Sequence, residues 1–101
     1  MNPRFLQIIK SSKPVLVDFY ADWCGPCKEV PPILKKIKKE MKGVRIVKVN
    51  VDNNPFIASR FNVHRLPTLI VFKDGEPIWS HEGVFCPEKL KSVLRSRMEK
   101  N

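Results

Sequence analysis

The segment DFYADWCGPCKE, residues 18–29, holds two cysteines two residues apart, directly after an apolar run. Cys24 and Cys27 could form a dithiol–disulfide couple, half of a zinc site, or a structural staple. Zinc needs four ligands, and no second C-x-x-C or H-x-H pair follows; Cys86, His64 and His81 are isolated in the chain. A permanent disulfide is unusual in a reducing compartment, and three cysteines are too few and too odd in number for a disulfide framework. A redox couple has a clear physical basis if the motif opens a helix. The unpaired N–H groups and partial positive charge there favour thiolate over thiol. In such a turn the first sulfur is the more exposed and the second lies one turn inward. Cys24 is therefore expected to be the attacking nucleophile and Cys27 the resolving thiol.

The elements that must position this pair can be read from periodicity. VLVDFY, residues 15–20, is a nearly continuous apolar run, the pattern of a strand buried on both faces. After Cys27, apolar residues recur at Val30, Ile33, Leu34, Ile37 and Met41, one face of an amphipathic helix with lysines on the rest. Pro31 and Pro32 should kink it near its start, and Gly43 should stop it. VRIVKVNV, 44–51, reads as a second strand. Asn54-Pro55 has the N-cap and N1 types of a short helix. PTLIVF, 67–72, is a third strand, Asp74-Gly75 a hairpin turn, and residues 78–81 a fourth strand. A short helix over 3–10 precedes all this, and Leu90, Val93, Leu94 and Met98 mark a closing helix. This order predicts a single α/β domain over 1–101, a mixed sheet with helices on both faces. It places the cysteines at the C-terminal edge of the sheet, where such folds keep their chemistry.

Composition sets the remaining bounds. At 101 residues and 43% hydrophobic content, a packed core needs no metal or disulfide to hold it. No run approaches the roughly 20 apolar residues that span a bilayer, and no targeting segment is visible, so the expected location is cytoplasmic. The 19 Lys plus Arg against 10 Asp plus Glu give +9. That charge either only keeps the protein soluble or also attracts acidic partners, acidic protein surfaces or nucleic acid. Charge alone is a poor case for nucleic acid, because no aromatic residues interleave the lysines and no recognised motif is present.

Taken together, VDFYADWCGPCK resembles the active-site segment of the thioredoxin family. The likeness continues through PPIL, KVNVDNNP, LPTLIVFKDGE and EGVFCPEKL, from about residue 13 to 98. It implies a thioredoxin fold and a protein disulfide reductase that binds no cofactor. Its partners would be disulfide-containing client proteins and a flavin-dependent thioredoxin reductase or an equivalent electron donor. Asp18 matches the family's buried aspartate, which exchanges a proton with the second cysteine; desolvation should raise its pKa. Lys48 matches the lysine beside that aspartate. Pro67 matches a cis-proline opposite the disulfide, which leaves the backbone of Leu66 to pair with an extended client segment. Trp23 would cover one side of the dithiol, and Gly83 and Val84 would line the client groove. Gly25-Pro26 between the cysteines lacks the histidine of oxidising relatives, which implies a reducing couple.

This chain also departs from the family. Only 14 residues precede VLVDFY, so the family's first strand is expected to be missing or vestigial, leaving a sheet of about four strands. Strand 44–51 then becomes an edge guarded by Arg45 and Lys48. The monomer is the expected state, with dimers through that edge or through Cys86 as the alternative. Arg65 sets a positive charge where the family has a small residue, which suits acidic clients. Cys86, before Pro87, would be a third reactive thiol at a helix start. The competing functions are an oxidase or isomerase of the same fold, and a basic scaffold or binding subunit with little redox role.

Overall fold

The apolar run at 15–20 forms strand β1 (Val15–Tyr20), buried from Val15 to Phe19. Its position explains that burial. In the computed structural model, which describes residues 3–98, β1 lies between β2 (Arg45–Asn50) and β3 (Thr68–Lys73). β2 runs parallel to β1 with Lys48 opposite Asp18, and β3 runs antiparallel with Leu69 opposite Asp18. β4 (Glu76–Glu82) completes a four-stranded sheet in the order β2-β1-β3-β4. A parallel pair requires a crossover, supplied by helix α2 (Val30–Glu40). The antiparallel β3–β4 pair needs only a tight turn. There Asp74 (φ 54°) and Gly75 (φ 84°) both take the positive φ that a type I′ hairpin demands.

Strand alternation sorts the core into two layers. Leu16, Leu69 and Val71 face α2 and the closing helix α4 (Pro87–Met98), meeting Leu34, Ile37, Leu90 and Leu94. Val17, Phe19, Ile70 and Phe72 face α1 (Pro3–Ile9) and α3 (Pro55–Arg60), meeting Phe5, Ile9 and Ile57. Phe72 receives the rings of Phe5 and Phe61 edge-on, at 6.0 and 5.0 Å between centroids. The same alternation turns Asp18, in phase with Leu16, toward the α2 side. No helix among the described residues is long and apolar enough to cross a membrane.

The expected missing strand is absent among the described residues, and β2 is an edge with β1 as its one strand neighbour. Arg45 and Lys48 are both exposed on it.

Several local expectations are corrected. The prolines act at the helix start: Pro31 and Pro32 have no N–H to offer the carbonyls of Cys27 and Lys28 four residues back. The chain instead forms a 3₁₀ turn at Pro26–Glu29, where Val30 N–H bonds the Cys27 carbonyl, before α2 begins. α2 ends at Glu40 and is capped by Met41, whose N–H bonds the Ile37 carbonyl, ahead of Gly43. Gly43 instead gives room to α4, since a Cβ there would lie 2.5 Å from the Met98 methyl. Asn54 occupies the N-cap position of α3 without a side-chain cap bond; its amide donates to the Asn50 carbonyl at 2.9 Å. β4 is longer than the strand expected at 78–81 because Glu76, Pro77 and Glu82 also pair with β3.

Phe72→Ala, which empties the meeting point of three aromatic rings, should cost about 3–5 kcal/mol. Lys36→Ala on the exposed face of α2 should stay within about 0.5 kcal/mol. Urea unfolding midpoints at constant slope measure both.

Candidate active site

Beyond Tyr20 the chain turns from the C-terminal end of β1 into the 3₁₀ turn. Cys24 N–H bonds the Ala21 carbonyl at 3.2 Å, and Lys28 N–H the Gly25 carbonyl at 3.1 Å. Cys24 and Cys27 are joined by a disulfide, with 5.4 Å between their Cα atoms. The backbone N–H of Cys27 points at Cys24 Sγ, 3.2 Å away. After reduction the same donor stabilises a Cys24 thiolate, because a hydrogen bond to a charged acceptor is the stronger kind. The expected difference in exposure is not seen in this oxidised form: both cysteines are 4% exposed. They differ in their neighbours, since Cys24 receives the backbone N–H while Cys27 lines a cleft with Asp18.

That cleft, about 410 Å³, is bordered by Asp18, Tyr20, Cys27, Pro31 and Lys48. Asp18 is 1% exposed, and its Oδ1 has no hydrogen-bond partner. An unpartnered buried carboxylate is costly in its charged form. Burial accordingly raises the Asp18 carboxyl to about 6, against an opposing pull from Lys48 across the β1–β2 pair. Lys48 itself is exposed. An acid that titrates near neutrality, in the same cleft as a thiol, has the chemistry of a proton acceptor and donor.

On the other side of the disulfide, the Leu66–Pro67 bond is cis, and Leu66 packs against the two cysteines and Ala21. The Pro67 carbonyl accepts from Gly83 N–H at 2.7 Å, and the Arg65 carbonyl accepts from the Thr68 hydroxyl. Gly83 adopts φ 81°, a left-handed conformation that glycine takes without steric cost. Pro26, Pro67 and Val84 share a small depression of about 90 Å³. Trp23 and Val84 are exposed apolar side chains, at 72% and 88%. Trp23 Nε1–H donates to Asp52 Oδ2 at 2.9 Å.

Asp52 was missed in the sequence. Its signal is position, since it follows parallel strand β2 as the cysteine motif follows β1. Arg65 is exposed, with Nη2 3.9 Å from where a Cβ on Gly83 would lie. Cys86 is a free, exposed thiol, and its carbonyl accepts from Leu90 N–H at the start of α4.

The raised Asp18 pKa fixes a pH dependence. The fold favours the protonated acid, so the stabilisation is fully present below the unfolded value of 3.8 and is lost as pH rises to about 6. The difference corresponds to about 3 kcal/mol at most. Oxidised Asp18→Asn should therefore be more stable than the parent at pH 7.5 by about 1–3 kcal/mol and should lose the decline between pH 4 and 6. Guanidinium unfolding at pH 4, 5 and 7.5 reads this, and an unchanged decline in the variant would contradict it.

Comparison with known proteins agrees with this arrangement. The thioredoxin family model matches residues 2–96. A thioredoxin of Rickettsia felis is 49% identical over 71 residues, 69% of this chain and 68% of the relative. Thioredoxin 1 of Synechococcus elongatus is 47% identical over 89 residues, 87% of this chain and 83% of the relative. The crystal structure of thioredoxin from Trypanosoma brucei brucei superimposes with a TM-score of 0.88 at 32% identity, over 99% of this chain and 88% of that one. A dithiol pair on this fold, matched along nearly the whole chain, places the protein in the thioredoxin family as a thiol–disulfide oxidoreductase.

Proposed function

We propose that the protein works in the reducing direction, with each site residue in a defined role. The observation that carries the reading is the Cys24–Cys27 pair set between buried Asp18 and an exposed apolar rim. The Cys24 thiolate attacks one sulfur of a client disulfide. An S–S bond forms to the client, the client's own S–S bond breaks, and one client thiolate leaves. Cys27 then gives its proton to Asp18 and attacks Cys24 Sγ. The mixed disulfide breaks, the second client thiol departs, and the pair is left oxidised. Two electrons have passed to the client, and all of them came from the cysteines. Lys48 moderates the charge on Asp18.

Trp23, Gly25 and Pro26 on one side, and Leu66, Pro67, Gly83 and Val84 on the other, form the groove for an extended client segment. Gly25-Pro26 places no cation between the sulfurs, so nothing there holds the dithiol form down in energy and the couple favours giving electrons away. A reducing couple suits the cytoplasm, a flavin-dependent thioredoxin reductase as electron donor, and a monomer that meets many clients. Arg65 at the groove favours acidic clients. Cys86, exposed and apart from the pair, is a thiol for glutathionylation or an intermolecular disulfide.

Equilibration with glutathione at pH 7 should give a potential below the cytosolic glutathione poise; a value well above it would mean an oxidant or isomerase. Cys24→Ser should bring insulin reduction to background, while Cys27→Ser should accumulate a mixed disulfide visible by mass spectrometry. For Arg65, the discriminating substrates are short disulfide-linked peptides. Arg65→Ser should slow reduction of an acidic one roughly threefold or more at low salt and leave a neutral one unchanged.

A further inference from the structure

The open edge of β2 borders a groove that shares only Pro31 and Lys48 with the cleft behind Cys27. The hydrogen bonds at the two ends of β2 set its phase: Arg45 N–H bonds the Pro14 carbonyl at 3.3 Å, and Val51 N–H the Tyr20 carbonyl at 2.9 Å. Odd-numbered residues therefore turn their backbone groups to β1. Strand alternation turns those of Ile46 and Lys48 outward, away from the sheet. Asn50, in the same phase, fits this, since its carbonyl accepts from Asn54 rather than from a strand. Two outward N–H and C=O pairs about 7 Å apart are the template that an added strand would read.

Beside this edge runs a groove of about 650 Å³ between β2 and α2. Its walls carry Lys35, Lys38, Lys39, Arg45 and Lys48, and no acidic residue lines it. Leu34 and Ile46 give it an apolar floor. The Lys38 ammonium is drawn onto the carbonyls of Lys42 and Val44. Lys35 and Lys39, one helical turn apart, are exposed.

Charge decides between occupants. A second copy added along this edge would set the same cations against each other, and facing like charges destabilise a strand pair. Nucleic acid would meet the lysines, but no aromatic side chain lines the groove for base stacking, and the outward backbone groups would go unused. An extended acidic segment satisfies both features, its backbone on Ile46 and Lys48 and its carboxylates on the lysine wall.

We propose that this groove docks an extended acidic segment of a partner protein, which adds to the sheet as a fifth strand beside β2. Pro31 and Lys48 also border the cleft behind Cys27, so the docked segment lies next to the redox site without covering the client groove.

A blocked heptapeptide alternating Glu and Val, titrated into ¹⁵N-labelled oxidised protein, tests this directly. At about 0.01 M salt, where the Debye length is ~30 Å, the peptide should shift the amides of Ile46 and Lys48 and slow their hydrogen exchange. A Lys/Val peptide of the same length should do neither. The double variant Lys35→Glu/Lys39→Glu should bind roughly tenfold more weakly while its insulin reduction stays at the parent level. Should its spectrum show misfolding, Lys35→Gln/Lys39→Gln takes its place, with an intermediate weakening expected. The proposal is overturned if the Glu/Val peptide leaves both amides unchanged. It is equally overturned if protein concentration alone perturbs them, the mark of a second copy, or if oligothymidylate binds there and the peptide does not. Insulin reduction is scored separately, so loss of docking and loss of redox function are distinguishable.

Discussion

A carboxylate sealed into the central strand of an apolar sheet is the constraint around which this molecule is arranged. Asp18 sits where Leu16 and Leu69 set the environment, with one oxygen unpartnered. Such a group is tolerated only where its neighbours keep it largely neutral or compensate its charge. Lys48 pulls the other way from the parallel strand, and a cleft connects the carboxylate with Cys27. The sheet order follows the same need. A strand flanked on both sides and covered on both faces buries Asp18, and the parallel register of β2 places Lys48 opposite it.

Much of this was legible in the sequence because it rests on local or periodic signals. The run at 15–20, the 3.6-residue recurrence from Val30 to Met41 and the Asp74-Gly75 pair each specify an element with little help from the rest of the chain. The cysteine spacing and its place after a strand identified the chemistry. What escaped depends on contacts between distant parts. The bond from Trp23 to Asp52 spans 29 positions, and no spacing rule reaches that far. Gly43 looked like a helix stop, while its neighbour in space is Met98, more than 50 residues on. The prolines carried a correct local warning in the wrong form. The chain accommodates two missing donors at a helix start by tightening into a 3₁₀ turn, and Cys27 lies on that turn.

The distribution of charge separates two surfaces that share one sheet. Around the disulfide the exposed apolar side chains are Trp23 and Val84, with charges of both signs, Asp22, Lys28, Glu29, Asp52 and Arg65, nearby. Around the β2 edge the surface is cationic over an apolar floor. An apolar rim tolerates many sequences, because contact area is its chief requirement, whereas a lysine wall beside an open strand discriminates by charge and register. On the two proposed readings, one small domain would present a permissive surface and a selective one.

The turn between β3 and β4 has a further consequence. Gly75 N–H bonds the carbonyl of Ile9 and Asp74 N–H that of Ser11, at 2.9 and 2.8 Å. The hairpin tip is thus clasped to the end of α1. A helix of seven residues is marginal by itself, and a hairpin alone is little better. Clasped together, with Phe5 against Phe72 beneath them, they lose independent fluctuations and open as one cooperative unit. The far end of the sheet, opposite the cysteines, is in this way tied to α1 by backbone bonds as well as by packing.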